Sequence, residues 1–486
     1  MKLFRANKKS TTRHKINTKS TTYVNIVIFI YFSFAHIGII ATFGNIIQSI
    51  CIMNKYLLAI ITLSFLGACH QSEKNKSDLF EVDVVSGINN KVAKLLLSDA
   101  VSDIDIIPLE TNDSCFIQRI RKMEVGENDL FINNVSQAYS RVFRFDLTGK
   151  FLNIVARTGE GPQEIMMPDG LGIDDNKKLI HIANSFGFVN EIKTYRYDGS
   201  WQGTIKAAKP GAALFGTFNW DQRPYYFFNG KHIIRRFLPL QDGTSDLWQI
   251  GILNQEGKYI ARLYDPNMQQ QQKEIDANNS GQHIDKIRYA WGTESPVLNR
   301  YRDAVNFMFE SNDTIYRYNE KENTLHPYYI LNCGERPTPE TIYKLGKSSD
   351  YFKYIFAVDL LEAKDYLYVD VEKDKSAFLL QVDKKSGNIQ SLELEGEMVD
   401  GALTKYRKVD APEFTNDLCG GPTFYPSSHN DRKWICAYNA SDLLEIDIEK
   451  LKKTDVLFPE KRNQLVKILE NLKDDDNPVI MVATLK

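Results

Sequence analysis

The sequence predicts an all-β fold, a six-bladed β-propeller whose blades are four-stranded antiparallel sheets. Three observations predict it. Beyond residue 98, apolar and polar residues mostly alternate, which is typical of half-buried strands. Turn residues interrupt these runs roughly every eight to twelve positions. A strand–turn–strand unit then recurs six times, and sheets repeated around an axis protect their strand edges by closing into a ring.

Each repeated unit is a hairpin marked by Asp or Asn at the end of an aromatic or apolar strand. Asp and Asn side chains cap tight turns, and the glycine that follows in several units takes the positive φ that closes the turn. The spacings of the marked residues, 52, 56, 65, 64 and 64 positions, allow one four-stranded blade for each. The marked residues are Asp146, Asp198, Asn254, Asn319, Asp383 and Asp447.

Two helices and a closing strand complete the predicted propeller domain, 80–486. We expect a short helix at Thr338–Leu345 and a short C-terminal helix at Pro459–Lys473, whose leucines and isoleucine form one apolar stripe. Val479–Thr484 reads as a strand that closes the ring against an N-terminal segment.

The stretch Leu66-Gly67-Ala68-Cys69 ends a segment that begins at Met53 with a lysine and continues with an apolar run of about ten residues, too short to span a bilayer. This order resembles the lipobox of bacterial lipoproteins, in which the cysteine is diacylated and the peptide is cut before it. The resemblance implies a signal peptide at 53–68, a lipid on Cys69 that holds the protein to the membrane, and a flexible tether at 69–79.

Residues 1–52 have two interpretations. They carry seven Lys and Arg residues ahead of an uncharged run long enough to cross a bilayer, which would make them a retained transmembrane segment. Alternatively, Met53 is the true initiator and 1–52 is an over-extended start that takes no part in the fold. We prefer the second interpretation because a complete signal beginning at Met53 needs nothing upstream.

Charge and cysteine usage narrow the function classes. Without the eight basic residues of 1–68, the chain holds 52 basic and 62 acidic residues, a net charge of −10. This excludes nucleic acid as the expected partner, since binding the phosphate backbone requires a basic face. Cys419 and Cys436 could form a disulfide in an oxidising periplasm. The preferred alternative is that they, with Cys115 and Cys333, are buried free thiols, and none of the four has metal-ligand spacing.

The stretch "VFRFDLTGKFLNIVARTGEGPQEIMMPDGLGID" resembles the six-bladed β-propeller lipoproteins common in Bacteroidetes, which are related in shape to NHL-repeat propellers. Their hallmark is a strand, an Asp-x-x-Gly turn, a second strand and a Gly-x-Gly-Pro-x-Glu loop, here Gly159–Glu164. Asn312–Asn332 and the closing "DDDNPVIMVATLK" match two further family features. The resemblance covers about 80–486. It implies a propeller anchored by lipid in the outer membrane of the cell envelope, and it assigns no activity.

Two segments contain candidate ligand-binding residues. The loop from Arg157 to Pro168 enters the second blade, and Arg157, Glu160 and Glu164 are candidates for holding a polar ligand. The alternative is a tight structural turn with solvated charges. In "CGGPTFYPSSHNDRKW", Phe424, Tyr425 and Trp434 are candidates for stacking on a sugar. The alternative is aromatic packing between blades.

The sequence singles out no catalytic residue, metal site or cofactor. No Gly-x-Ser-x-Gly motif is present, and no pair of carboxylates stands out among the 62 acids. Histidines spread along the repeats could meet at the axis as metal ligands, but scattered single histidines are more often surface or strand residues. These histidines are His181, His232, His283, His326 and His429.

The first function hypothesis is therefore a lipid-anchored envelope propeller that binds a ligand or a partner protein. The alternatives are a polysaccharide lyase or hydrolase acting at the propeller funnel, and an accessory subunit of an outer-membrane transporter. Fold alone does not choose among them. Charged groups with shifted pKa values converging at one mouth would favour an enzyme, and an aromatic or apolar patch on one face would favour binding.

Overall fold

Residues 79–486 form six four-stranded antiparallel sheets arranged as the blades of a propeller, as the sequence predicted. The expected signal peptide, Cys69 and the helix at Thr338–Leu345 lie outside the described part of the chain. The computed structural model describes residues 79–136, 139–166, 168–186, 189–206, 225–235, 248–266, 297–309, 312–336, 350, 353–399, 402–405 and 409–486.

The chain begins with short elements that precede the first complete blade. They are β1 (Phe80–Asp83), α1 (Val84–Gly87), β2 (Leu95–Leu96), a 3₁₀ turn (Leu97–Asp99) and β3 (Val101–Pro108).

Blades 1 to 3 each consist of four consecutive strands. Blade 1 comprises β4 (Ile120–Val125), β5 (Asp129–Val135), β6 (Ser140–Asp146) and β7 (Phe151–Arg157). Blade 2 comprises β8 (Pro168–Asp174), β9 (Leu179–Phe186), β10 (Val189–Arg196) and β11 (Trp201–Lys206). Blade 3 comprises β12 (Tyr225–Phe228), β13 (Lys231–Arg235), β14 (Ile250–Leu253) and β15 (Tyr259–Leu263).

Blades 4 and 5 follow the same plan. Blade 4 comprises β16 (Val297–Tyr301), β17 (Ala304–Met308), β18 (Thr314–Asn319) and β19 (Thr324–Asn332). Blade 5 comprises β20 (Phe356–Glu362), β21 (Tyr366–Lys373), β22 (Ser376–Asp383) and β23 (Ile389–Leu394). A small hairpin follows, with β24 (Gly396–Val399) and β25 (Ala402–Lys405), and then β26 (Phe414–Thr415), which pairs with β2.

Blade 6 is assembled from both ends of the domain. Its first three strands are β27 (Ser428–His429), β28 (Lys433–Tyr438) and β29 (Val479–Leu485), and its outermost strand is β3. β29 pairs antiparallel with β3, with Val482 opposite Asp105. The predicted closing strand at Val479–Thr484 is confirmed. Because this strand pairs with β3, blade 6 joins the two ends of the domain and closes the ring of blades.

Five of the six predicted hairpins join the third and fourth strands of a blade. In each, the marked Asp or Asn accepts a backbone N–H from the residue two positions later, at 2.8 to 3.2 Å. Gly149, with φ of 90°, closes the first of these turns. In the fourth turn Asn323 takes the positive φ, at 54°, because Asn tolerates this conformation better than other residues with a side chain.

The sixth predicted hairpin, at Asp447, is wrong. Blade 6 has no turn between its third and fourth strands, because these come from opposite ends of the chain. Asp447 instead caps a helix, accepting the backbone N–H of Lys450 at 3.0 Å. Three helices fill the connection between β28 and β29: α2 (Ala440–Leu443), α3 (Ile448–Lys453) and α4 (Pro459–Asn471). The last matches the predicted C-terminal helix, with its end two residues earlier.

Residues 79–98, here called the N-terminal strap, cross the outer edges of two blades. β1 lies parallel to β19 and adds a fifth strand to blade 4. The strap then pairs with blade 5, where Val92 donates its backbone N–H to the Ser391 carbonyl at 2.8 Å. Ser98 bonds the Asp417 carboxylate just before β3 enters blade 6. The strap thus covers strand edges that would otherwise be exposed.

Apolar side chains fill the interfaces between neighbouring blades. Between blades 6 and 1, for example, Ile107 and Ile480 pack with Met123, Ile132 and Phe143, all of them buried. Burying such faces is the main favourable term in folding. Among the described residues, no helix combines the length and the apolar character needed to cross a bilayer.

Candidate functional site

The two ends of the propeller differ in how they are connected. Because strands alternate in direction, the hairpins from first to second and from third to fourth strand lie at one end, here called the turn end. The links between blades lie at the other, here called the connection end. At the turn end, residues 126–128 and 147–150 are examples of the short hairpins. Residues 207–224, 236–247 and 267–296 lie outside the described residues.

The first strand of each blade borders the axis, and Arg300 of blade 4 joins four of these strands. Its guanidinium donates to both oxygens of Glu124 in blade 1, at 3.1 and 3.3 Å. It also donates to the backbone carbonyls of His429 in blade 6, at 2.7 Å, and Phe227 in blade 3, at 3.2 Å. Each of these residues is the last or last but one of its strand. The ion pair therefore crosses the axis near the turn end.

Lys122 lies two residues before Glu124 on β4, on the same face of the strand and nearer the connection end. Its ammonium group is 3.8 Å from the Glu124 carboxylate and donates to the Tyr225 carbonyl at 3.4 Å. It also lies 4.6 Å from the centre of the Tyr226 ring, and the Arg300 guanidinium lies 5.3 Å from the same ring. Aromatic faces attract cations at such distances.

We call Lys122, Glu124, Tyr226 and Arg300 the axial cluster. All four side chains are nearly excluded from solvent, with 5% or less of the side chain exposed for the three charged members and 2% of Tyr226 exposed. Arg235, 3% exposed, lies 5.8 Å from the Tyr226 ring on the side of the connection end. Charges at such depth interact strongly because the local dielectric constant is far below that of water.

Two glycines explain how closely the first strands of blades 2 and 3 approach each other. A Cβ on Gly170 would lie 2.6 Å from the Tyr225 Cβ, and one on Gly172 would overlap the Phe227 side chain. β8 and β12 can approach each other only because these positions have no side chain. The close approach brings Tyr225 and Phe227 between blades 2 and 3 and leaves Tyr226 on the other face of β12, towards blade 4.

A pair of buried histidines lies between blades 2 and 3. The rings of His181 and His232 are 4.9 Å apart. The Nδ1 atom of His181 is 2.9 Å from the Thr194 hydroxyl, and that of His232 is 2.8 Å from the Tyr225 hydroxyl. Burial lowers the pKa of His181 to about 3, with a further contribution from His232, and burial lowers the pKa of His232 to about 4. Both imidazoles are therefore neutral at pH 7.

The other histidines are not part of this pair. His326 is half exposed in blade 4 beside Glu322, and His429 is buried at the end of β27. His283 lies outside the described residues. Over the described stretches, no three His, Cys, Asp or Glu side chains are grouped so as to hold a metal ion.

The loop from Arg157 to Pro168 is braced internally by one of its own acidic side chains. The Glu164 carboxylate accepts the backbone N–H of Gly161 at 3.0 Å and lies where a side chain on Gly159 would be. Glu164 thus braces the loop from inside, whereas Arg157 and Glu160 are both exposed.

Blade 2 fixes the same loop through two backbone carbonyls. Lys193 donates to the Pro162 carbonyl at 3.0 Å, and the Tyr195 hydroxyl donates to the Gln163 carbonyl at 2.9 Å. Arg157 and Glu160 therefore project from a turn that hydrogen bonds hold in place, and ligand binding by Arg157, Glu160 and Glu164 stays a prediction.

The three candidate aromatics lie in the apolar core between blades 5 and 6. Phe424 and Trp434 have no exposed surface, and Tyr425 is 5% exposed. Phe414 packs between them, 5.5 Å from Trp434 and stacked on Tyr425 at 6.4 Å. The Tyr425 hydroxyl donates to the Asp370 carboxylate at 3.0 Å. Stacking on a sugar needs an open ring face, which Phe424 and Trp434 do not have. These two rings pack between blades instead.

Among the described residues, Cys115, Cys333, Cys419 and Cys436 are buried thiols that form no disulfide, as the preferred alternative expected. Burial raises the pKa of Cys419 to about 12, which makes its thiol unreactive at neutral pH.

Sequence reasoning missed the axial cluster altogether. Lys122, Glu124 and Arg300 are charged residues inside strands that otherwise read as apolar, and this is the one signal that could have found them. Their meeting depends on which strand of each blade is innermost, and on the register of blades far apart in sequence.

Comparisons with known proteins place the chain in a family and add no activity. The family described as "Domain of unknown function (DUF4934)" matches residues 79–484. A Bacteroides fragilis protein provisionally described as exported is similar in structure, with 15% identity and a TM-score of 0.51 over 84% of this chain and 99% of its own. A Bacteroides vulgatus member of the DUF4221 family has 11% identity and a TM-score of 0.46 over 82% and 99%. No curated protein matches the chain.

Proposed function

We propose that this chain, which belongs to the DUF4934 family, is a lipid-anchored β-propeller of the cell envelope that binds a ligand or a partner protein at the axis of the propeller. The observation that carries the proposal is the axial cluster. Buried charges are costly unless they are paired, so proteins rarely place them at an axis that apolar side chains could fill. Convergent polar groups in a largely apolar surround are typical of binding sites.

The direction of approach follows from the ends of the strands. The Arg300–Glu124 ion pair lies near the turn end, and a ligand arriving there would have to displace it. Lys122, Tyr226 and Arg235 lie nearer the connection end. We therefore place the approach of the ligand at the connection end, where loops of propellers and other rigid scaffolds commonly carry function.

The proposed location in the cell envelope rests on the lipobox-like stretch and on the description of the Bacteroides fragilis neighbour as provisionally exported. We propose that the lipid on Cys69 anchors the protein in the outer membrane. Cells grown with a palmitate analogue should label the wild-type chain, and Cys69→Ala should abolish the label, because the cysteine thiol is the acylated group. Equal labelling of the two chains would overturn the anchor. Recovery of peptides from 1–52 would support the retained transmembrane alternative.

Ligand binding is tested by thermal shift on the full chain purified from membranes in detergent. Neutral, acidic and sulfated oligosaccharides and extended peptides form the panel. We expect one class to raise the melting temperature in a saturable way, since a ligand that binds the folded state stabilises it by mass action. Failure of every class would count against binding. Release of a shortened glycan would replace binding with the lyase or hydrolase alternative.

A further inference from the structure

Two arginines lie side by side at the connection end of blade 1. Arg141 of β6 and Arg157 of β7 are directly opposite each other in the antiparallel pairing of these strands. Side chains opposite each other lie on the same face of a sheet, with their Cβ atoms about 4.5–5.5 Å apart. Phe143, two residues after Arg141, packs between blades 6 and 1. Both arginines therefore lie on the side of blade 1 that faces blade 6.

Backbone hydrogen bonds fix the position of this pair. The Thr158 N–H donates to the Ser140 carbonyl at 2.9 Å, which joins the two strands one residue beyond the arginines. The Arg157 carbonyl accepts the N–H of Ile165 at 3.1 Å, so the braced loop also holds the end of β7. The two side chains therefore start from neighbouring points that a slip of one strand past the other does not separate.

The charges of the two arginines are not balanced by a carboxylate. In the part of the chain that the structure describes, neither Arg141 nor Arg157 forms an ion pair. Glu160 is exposed and pairs with neither of them, and Glu164 accepts an N–H group of its own loop. Like charges directly opposite each other destabilise a sheet, so an anion between them would be favourable. Arg157 is exposed and Arg141 half-buried, which leaves the pair open to a ligand.

We propose that Arg141 and Arg157, with the ring of Tyr139, bind the oxyanion group of an acidic ligand, a carboxylate, sulfate or phosphate. The Arg141 guanidinium lies 4.5 Å from the centre of the Tyr139 ring, which restrains the guanidinium by a cation–π contact. Guanidinium groups donate parallel N–H pairs that match the geometry of such oxyanions. This site goes beyond the proposed function, because it lies on the third and fourth strands of blade 1 and away from the axis.

The segment beside the arginines adds an exposed aromatic residue. Asn134 lies opposite Arg141 on the other neighbouring strand, and its amide bonds the Phe116 carbonyl at 3.2 Å and the Gln118 N–H at 2.9 Å. The segment 116–118 therefore passes next to the arginine pair, and Phe116 is 48% exposed. An acid group on a cyclic body, such as a uronic acid or a sulfated sugar, matches this combination of cations and an aromatic ring.

The test is calorimetric titration of the full chain with sodium sulfate, sodium phosphate and sodium glucuronate at constant ionic strength, with glucose as the neutral probe. We expect saturable binding of at least one anion and none of glucose. Arg141→Gln and Arg157→Gln should each weaken this binding at least tenfold, because each removes one of the two cations. Arg432→Gln is the matched control and should bind as wild type, since that arginine is 76% exposed in a turn of blade 6.

Thermal unfolding gives a second measurement. Without an anion, Arg157→Gln should be at least as stable as wild type, because the substitution relieves repulsion between like charges. The bound anion should raise the melting temperature of wild type and Arg432→Gln equally, and that of Arg157→Gln less. The Arg432→Gln control also measures the general stabilising effect of sulfate and phosphate on folded proteins.

Three results would overturn the inference. They are the absence of saturable anion binding, equal binding by Arg157→Gln and Arg432→Gln, and a loss of stability in Arg157→Gln without anion, which would reveal a structural partner. Lys122→Met, which alters the axis, should bind the anion as wild type does. Loss of anion binding in Lys122→Met with normal binding in Arg157→Gln would place the anion at the axis, overturning this site and leaving the proposed function in place. The three anions distinguish a sulfated, a phosphorylated and a uronic-acid group as the natural source.

Discussion

Single residues at the axis hold distant parts of the chain together. Arg300 contacts first strands from blades 1, 3 and 6 through Glu124 and two backbone carbonyls. No other kind of side chain could supply several donors in a fixed planar arrangement. The energetic consequence is asymmetric, because removing one partner of a buried ion pair leaves the other charge without compensation.

Arg300→Met should lower the free energy of unfolding by about 3–5 kcal/mol, since Glu124 would stay buried beside Lys122 alone. Arg432→Met is the matched control, because that side chain is 76% exposed beside Asp431, and surface changes of this kind stay within about 0.5 kcal/mol. Urea unfolding followed by tryptophan fluorescence measures both. Equal midpoints for the two variants would show that the axial ion pair contributes little.

The buried histidine pair predicts how stability depends on pH. The pKa values of His181 and His232 in the folded protein, about 3 and about 4, lie below the ordinary 6.5. As the pH falls below 6.5, the unfolded chain binds two protons that the folded chain does not. Stability should therefore fall from pH 6.5 to about 4, by about 1.4 kcal/mol per pH unit for each histidine at most.

His181→Phe should remove one of these protons and flatten the slope, while keeping a ring against Phe227. The control is His326→Phe, at a half-exposed position, which should leave the slope as it is in wild type. The test is to measure the unfolding midpoints of wild type and both variants at half-unit steps of pH and to compare their slopes. A stability that does not change between pH 6.5 and 4.5 would contradict neutral burial of the pair.

Residue types in the sequence do not tell which side of a strand faces the core of a propeller. Phe424 and Trp434 looked like exposed sugar-stacking residues because they sit in a glycine-rich stretch, yet both have no exposed surface. Glu164 looked like a ligand-binding acid, yet it caps the Gly161 N–H. Arg300 and Glu124 looked unremarkable, because their strands are 176 positions apart and nothing local links them.

At the scale of elements, the sequence predicted what depends on local chemistry. The turns at Asp146 and Asp383 form as expected, because an Asp side chain can accept the N–H groups of the residues that follow it. The prediction of a hairpin turn at Asp447 was wrong for the same reason. An Asp that begins a helix accepts the same kind of N–H group, so the residue type fits a hairpin turn and a helix N-terminus equally well.

The closing strand was predictable because Val479–Thr484 is a continuous apolar run that follows an amphipathic helix. Its partner was not, because β3 lies more than 370 positions earlier. Pairing between such distant segments depends on the closure of the whole ring rather than on any local signal.

Deleting residues 474–486 should destabilise the whole propeller. β29 is the third strand of blade 6 and pairs with both β28 and β3. Without it, the ring would open and the apolar residues between blades 6 and 1 would be exposed to water. The melting temperature of the truncated chain should fall by more than about 10 °C, which for a domain of about 400 residues corresponds to a loss of roughly 9 kcal/mol.

Adding the peptide 474–486 to the truncated chain provides the matched control. The peptide should restore part of the lost melting temperature, because it carries the missing strand. An unchanged melting temperature in the truncated chain would contradict the prediction that β29 closes the ring.

At the scale of the whole molecule, the strap and the closing strand make one side of the ring depend on both ends of the domain. β1 and the following strap residues cover the edges of blades 4 and 5, and β3 completes blade 6. The repeat spacing predicted six blades, although its sixth marked residue, Asp447, caps a helix and belongs to no hairpin. The polar axis could not be predicted from the repeat, because it arises only when six separate first strands are brought together.

The central claim is that this propeller binds a ligand or a partner protein at its axis, where Arg300 and Glu124 join four blades. The most direct measurement is the thermal-shift panel applied to wild type, to Lys122→Met and to Lys258→Met, the last an exposed lysine in a turn of blade 3. The account predicts that one ligand class stabilises wild type and Lys258→Met in a saturable way and that Lys122→Met loses this stabilisation. Equal stabilisation of all three chains, or of none, would contradict it.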